Sequence, residues 1–129
     1  MSSESTQTAP KSDNGNLEEY TEEQLFSNSM GNLADHIARK AALGDKRRYA
    51  MLYYLWDREE VARKELAAAI GDPSFDLTHH LGELIDAGLI ARTGAPEDED
   101  GRQTFYQITH IGRQEVTTDY RNITGIDPK

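Results

Sequence analysis

A chain of 129 residues with 36% hydrophobic content can close one modest core but not two, so a single small domain with tails is expected. There is no cysteine, which excludes disulfides, thiolate metal sites and thiol redox switching, and 23 acids against 14 bases leave a net charge of -9. No apolar run approaches the ~18 residues that span a bilayer, and the opening MSSESTQTAPKSDNGN has neither a basic nor an apolar signal region, so no membrane partner and a cytoplasmic location are expected. The imbalance is not confined to the start: residues 1–23 carry -5 and residues 24–129 still carry -4. A surface dense in carboxylates suits a salt-rich cytoplasm, where it holds hydrated cations, and it also suits an ordinary acidic cytosolic protein. Composition leaves these two readings even.

Residues 1–16 are polar and without apolar periodicity, so they cannot offset their own ordering entropy and are expected to form a disordered tail, with the folded domain at 17–129. From Thr21, Phe26, Met30, Leu33, Ile37 and Ala41 recur at helical spacing and predict one long helix, with Gly31 as a point where it could be interrupted. Asp45 is a plausible cap for the next helix, which would carry Tyr49, Leu52, Tyr53, Leu55 and Trp56 inward. Residues 63–70 predict a short helix burying Leu66 and Ile70 and stopped by Gly71. Asp72 can cap the following helix, with Pro73 at its first position and Leu77, Leu81, Leu84 and Ile85 as its stripe up to Gly88. Two short helices across a tight glycine-containing turn predict a helix-turn-helix. After Gly88, LIART and RQTFYQIT read as the two strands of a hairpin, joined by a loop containing Glu97, Asp98, Glu99 and Asp100. The chain closes with a helix carrying Ile111, Val116, Tyr120 and Ile123 on or near one side. The fold class is therefore mainly α with a small β-hairpin.

The blocks LGDKRRYAMLYYL, RKELAAAIG, LTHHLGELIDAGLI and RQTFYQIT stand in one order and register over residues 43–112. Together they resemble the winged helix-turn-helix regulators of the ArsR and PadR type. Given the acidity, the haloarchaeal members look nearest, the cysteine-free regulators of oxidative-stress genes among them. The resemblance implies a homodimer on double-stranded DNA, with the helix near residues 74–87 as recognition helix and the 94–102 loop as wing. One departure is plain: the cysteine motif of the metal-sensing members is replaced by RKELAAAI at 63–70, so soft-metal sensing is not carried over.

A recognition helix meets the major groove with its N-terminal half, which makes Ser74, Asp76, Thr78 and His79 candidate DNA contacts. His79 can donate to guanine N7 or a phosphate, Thr78 can bond a phosphate or touch a thymine methyl, and Asp76 could accept from cytosine N4. His80 would lie nearer the scaffold. Adjacent histidines on a helix point about 100° apart and share a metal poorly, so no metal is assigned. Lys46, Arg47 and Arg48 at one helix start and Arg63 and Lys64 at another oppose the helix dipole, which favours phosphate positioning over pairing with Asp45, Glu60 or Glu65. On the hairpin, Arg92, Arg102 and Gln103 are further candidates, Arg102 foremost. The four acids could lie beyond the duplex edge, hold bridging salt cations, meet basic residues of another subunit, or simply keep a loop tip solvated.

The stripes Phe26, Met30, Leu33, Ile37 and Val116, Tyr120, Ile123 exceed what a minimal winged helix needs, so they are expected to form a two-fold interface, the alternative being packing within one subunit. No nucleophile with a base and orienter, metal-spaced set or phosphate loop stands out, so neither an enzyme nor a cofactor is expected. The rival reading is a winged helix that binds a basic protein partner in the transcription machinery and no DNA.

Overall fold

The computed structural model describes residues 16–94 and 104–128, which fall into two compact units divided after Ala38. In the first unit, α1 (Leu17–Phe26) opens on Asn16, whose Oδ1 accepts from the Glu19 amide at 3.1 Å, with Glu18 and Glu19 in the favourable first turn. The predicted long helix from Thr21 is two helices: α1 starts earlier and stops at Phe26, and α2 (Leu33–Ala42) begins after a break. The break has local causes. Ser27, Asn28 and Ser29 are poor helix formers, Ser29 Oγ takes the Gly31 amide, and Asn32 Oδ1 takes the Asp35 amide at 2.8 Å, starting a fresh helix. Glu22 of α1 accepts from the Leu33 amide at 3.0 Å and so ties the two helices at the bend.

The second unit contains the end of α2, then α3 (Lys46–Trp56), β1 (Val61–Ala62), α4 (Arg63–Ile70), α5 (Leu77–Asp86), β2 (Ile90–Thr93), β3 (Phe105–Ile108) and α6 (His110–Thr124). Asp45 caps α3 as expected, accepting from the Arg48 amide at 3.0 Å. The sheet is antiparallel in the order β1-β3-β2, with Val61 opposite Tyr106, Ile90 opposite Ile108 and Arg92 opposite Tyr106. The two-residue strand β1 was not expected from the sequence; it exists through its pairing with β3.

Helix α3 lies at the centre of this unit. Its Met51, Leu52 and Leu55 join Val61, Leu66, Leu81, Leu84, Leu89, Ile90, Tyr106, Ile108 and Val116 in one buried cluster. Tyr53, expected to point inward, is 42% exposed, because Met51 rather than Tyr53 completes the buried face of α3. Val116 is 1% exposed within its own unit, so it is a core residue with no surface to offer a second subunit.

The hairpin's root is fixed where β2 and β3 meet α6. The Thr109 amide donates to Leu89 O at 3.0 Å, its hydroxyl reaches Gly88 O at 2.7 Å, and the same Oγ1 accepts from the Gly112 amide at 3.0 Å. Gly112 sits so close to the Leu89 carbonyl and to Ile108 Cγ1 that a Cβ there would overlap backbone. Gly112→Ala is therefore expected to cost about 1–3 kcal/mol. Gly82→Ala, in the interior of α5 with open space at the Cβ position, should instead gain about 0.5–1 kcal/mol. Urea denaturation of the two variants against the parent protein checks both signs.

Candidate nucleic-acid interface

Gly71 ends α4 in the left-handed conformation at φ 72, where a side chain would be strained, and the chain turns into α5. The helix after the turn begins later than the sequence suggests. Asp76, not Asp72, is its N-cap, with Oδ1 accepting from the His79 amide at 3.0 Å. Asp72 instead organises the turn itself. Its Oδ1 takes both the Ser74 amide at 3.0 Å and the Ser74 hydroxyl at 2.7 Å, and its Oδ2 takes the Arg47 guanidinium at 2.9 Å. These donors, Ser74 first and Arg47 after, hold the Asp72 carboxyl below the ordinary 3.8.

The turn is held from behind by the start of α3. The Arg47 guanidinium lies 5.1 Å above the Phe75 ring, and Phe75 stacks on His80 at 4.5 Å with 9° between the planes. His80 Nδ1 accepts from Arg48 Nε at 3.0 Å, and Arg48 Nη1 donates to Ala42 O, the last carbonyl of α2, also at 3.0 Å. A bond accepted at Nδ1 leaves the ring proton on Nε2.

The expected DNA contacts divide accordingly. Arg48 was grouped with Lys46 and Arg47 as a phosphate ligand, yet it is half-buried and both its bonds run inward, so it braces α5 and α2. Asp76 was expected to read cytosine, but one oxygen is committed to capping α5. Ser74 likewise spends its hydroxyl on Asp72. Lys46, Lys64, Thr78 and His79 are exposed, and half-buried Arg63 donates from Nη2 to Thr78 Oγ1 at 2.8 Å, bringing the first residue of α4 onto the N-terminal half of α5. The Arg63 amide donates to Thr104 O at 2.8 Å, so the same residue joins the helix pair to the hairpin. Arg92 is exposed on β2, and Thr93 beside it donates from Oγ1 to Glu60 at 2.7 Å. Arg102, Gln103 and the acid run lie outside the described residues.

Phe75 and Asp72 are the contributors that sequence reasoning missed as interface builders. An aromatic residue inside a polar turn between two short helices was the available sign.

A helix-turn-helix followed directly by an antiparallel hairpin, with helices before and after, is the winged helix-turn-helix fold. A family model described as a helix-turn-helix domain matches residues 43–93, while no curated protein sequence matches the chain. Among solved structures, the chain is similar to HlyU from Vibrio cholerae at 19% identity and TM-score 0.58, covering 72% of this chain and 95% of that one. Reduced AbfR bound to DNA matches at 20% identity and TM-score 0.56, covering 88% and 74%. The MepR–DNA complex of S. aureus matches at 17% and 0.54, covering 70% and 74%. At these identities the likeness establishes the fold. No helix among the described residues is long and apolar enough to cross a membrane.

The turn's dependence on Asp72 can be titrated. A carboxyl whose folded value is lowered contributes stability above its ordinary 3.8 and loses it as pH falls through the lower value. Asp72→Asn should therefore melt below the parent protein at pH 7, and the gap should narrow as pH drops below the ordinary 3.8 and through the lowered value; parallel melts followed by circular dichroism measure this.

Proposed function

We propose that this protein is a transcription regulator that binds double-stranded DNA in a sequence-specific way as a homodimer, of the ArsR and PadR type, in a high-salt cytoplasm. The observation that carries the DNA reading is the Arg63–Thr78 contact flanked by exposed Lys64 and His79: a group of donors from the start of α4 and the N-terminal half of α5, the helix that a helix-turn-helix presents to the major groove. The solved DNA complexes of AbfR and MepR, which share the fold, add to it. In this reading Lys46, Arg47, Arg63, Lys64 and Thr78 position phosphates, His79 reaches a base edge, and Arg92, Arg102 and Gln103 act from the hairpin.

Dimerisation is inferred from apolar side chains that each unit leaves uncovered. On α1, α2 and their connection, Met30 is 99% and Ile37 52% exposed beside half-buried Phe26 and Leu33. On α6, Ile123 is 80% exposed beside half-buried Tyr120. A second copy of the chain would cover both sets.

The salty setting is inferred from the charge taken together with the DNA reading. A protein at -9 cannot rely on releasing counterions from DNA, because that driving force fades at molar salt and its own carboxylates repel phosphate at low salt. Docking with cations retained between carboxylate and phosphate removes the conflict.

Fluorescence anisotropy on DNA from the region upstream of the protein's own gene, against a scrambled duplex and from about 0.1 to 2 M KCl, tests the reading. Specific affinity should persist or rise with salt. Lys64→Ala should weaken all duplexes alike, whereas His79→Ala should erode the preference at one base pair by about 1–3 kcal/mol. Equal affinity for every duplex would move the assignment to a protein-interaction module, for which the net negative charge names a basic partner. In sedimentation, Ile37→Asp and Ile123→Asp should each shift a dimer toward monomer.

A further inference from the structure

Between α3 and α4, on the side of α3 that carries Arg47, is a cavity of about 300 Å³ of whose lining residues the DNA reading uses Arg47 alone. Its walls are Ala50, Met51 and Tyr54 from α3 and Leu66, Ala69 and Ile70 from α4, and the charged group among its lining residues is Arg47. Met51 and Leu66 are 2% and 1% exposed, so the floor is core. The polar end of Tyr54 is already engaged, because its hydroxyl donates to Glu65 at 2.9 Å. An apolar space of this size with one cation at its rim matches a small molecule having an apolar body and a single anionic head.

We propose that this cavity binds a medium-chain monocarboxylate, its chain against Met51, Leu66 and Ile70 and its carboxylate on the Arg47 guanidinium. Arg47 is 54% exposed at its side chain, and its 2.9 Å pair with Asp72 shows a guanidinium that takes a carboxylate partner and can exchange it for another. Occupation draws Arg47 toward the cavity and away from Asp72 and the Phe75 ring, which loosens the turn that aims α5. The ligand thereby lowers DNA affinity, a consequence that rests on the DNA reading of the preceding section. An uncharged ligand lacks this effect because it has no claim on the guanidinium.

The test uses hexanoate as probe and 1-hexanol as its uncharged counterpart, in about 0.5 M KCl so that the protein's net charge is screened. Titration of the full chain without DNA, followed by ¹H–¹⁵N NMR, should give saturable hexanoate shifts at Ala50, Ala69 and Ile70 together with Asp72 and Ser74. Hexanol should bind about tenfold more weakly. Ala69→Leu, which fills the cavity from an exposed helix position, should abolish the shifts while DNA affinity without hexanoate stays as in the parent. Equal binding of hexanoate and hexanol, shifts that survive Ala69→Leu, or no saturable binding overturns the site. Saturable binding that leaves anisotropy on DNA unchanged, in a protein that does bind DNA, overturns its regulatory role. If the protein binds no DNA at all, the titration alone decides the site.

Discussion

The hydrogen bond from Arg48 to His80 is the constraint on which the rest of the candidate interface depends. It joins the first turn of α3 to the first turn of α5 across 32 residues of sequence, and the same guanidinium caps the end of α2 at Ala42. Around it the side chains form a stack: Arg47 over Phe75, Phe75 on His80. The Arg47–Asp72 pair alone is partly in solvent and screened there, so its own energy is small. Its importance is geometric. Shared between a ring face, a carboxylate and a serine-bonded turn, the pair sets the angle at which α5 leaves α4, and several modest contacts acting on one turn restrict it more than their separate energies suggest.

This arrangement explains why bases gather at a helix start, where the dipole disfavours them. At α3 the unfavourable placement is offset by partners outside the helix: a carboxylate for Arg47, an imidazole and a carbonyl for Arg48. At α4 the Arg63 guanidinium leans on Thr78, a neutral acceptor, so its charge is not spent. The two basic clusters thus differ: in the first, Arg47 and Arg48 help to hold the turn, while in the second no carboxylate partner of Arg63 occurs among the described residues.

Much of the fold was legible in the sequence because its determinants are local. Asp45 as a cap, Gly71 as a stop, the Leu81 and Leu84 stripe and the period-two strands after Gly88 all act within a few residues of themselves. What misled was competition between equal local candidates or a partner far along the chain. Asp72, followed by proline, reads as the cap of the next helix, but it is held in the turn by Ser74 and by Arg47, 25 residues away, and Asp76 takes the capping place instead. Arg48 looked like its neighbours for the same reason: its inward direction is set by His80. The apolar stripe through Phe26 and Ile37 kept its period across residues 27–32, so periodicity carried the helix through a segment that capping chemistry breaks. The two residues of β1 hold too little pattern to be read before β3 is placed beside them.

The hairpin poses the remaining electrostatic question, and its described root narrows the answer. Thr109 and Gly112 lock Leu89 and the start of α6 together, and the Arg63 amide is bonded to Thr104, so the base of the hairpin is tied to the first residue of α4. The acid run Glu97 to Asp100 follows β2 in the sequence and lies outside the described residues. In the proposed DNA reading, carboxylates near the duplex oppose docking in dilute salt and cease to oppose it once cations are abundant enough to sit between them and the phosphates. Under that proposal the net charge of -9 does not contradict a DNA interface but restricts the ionic strength at which it would close.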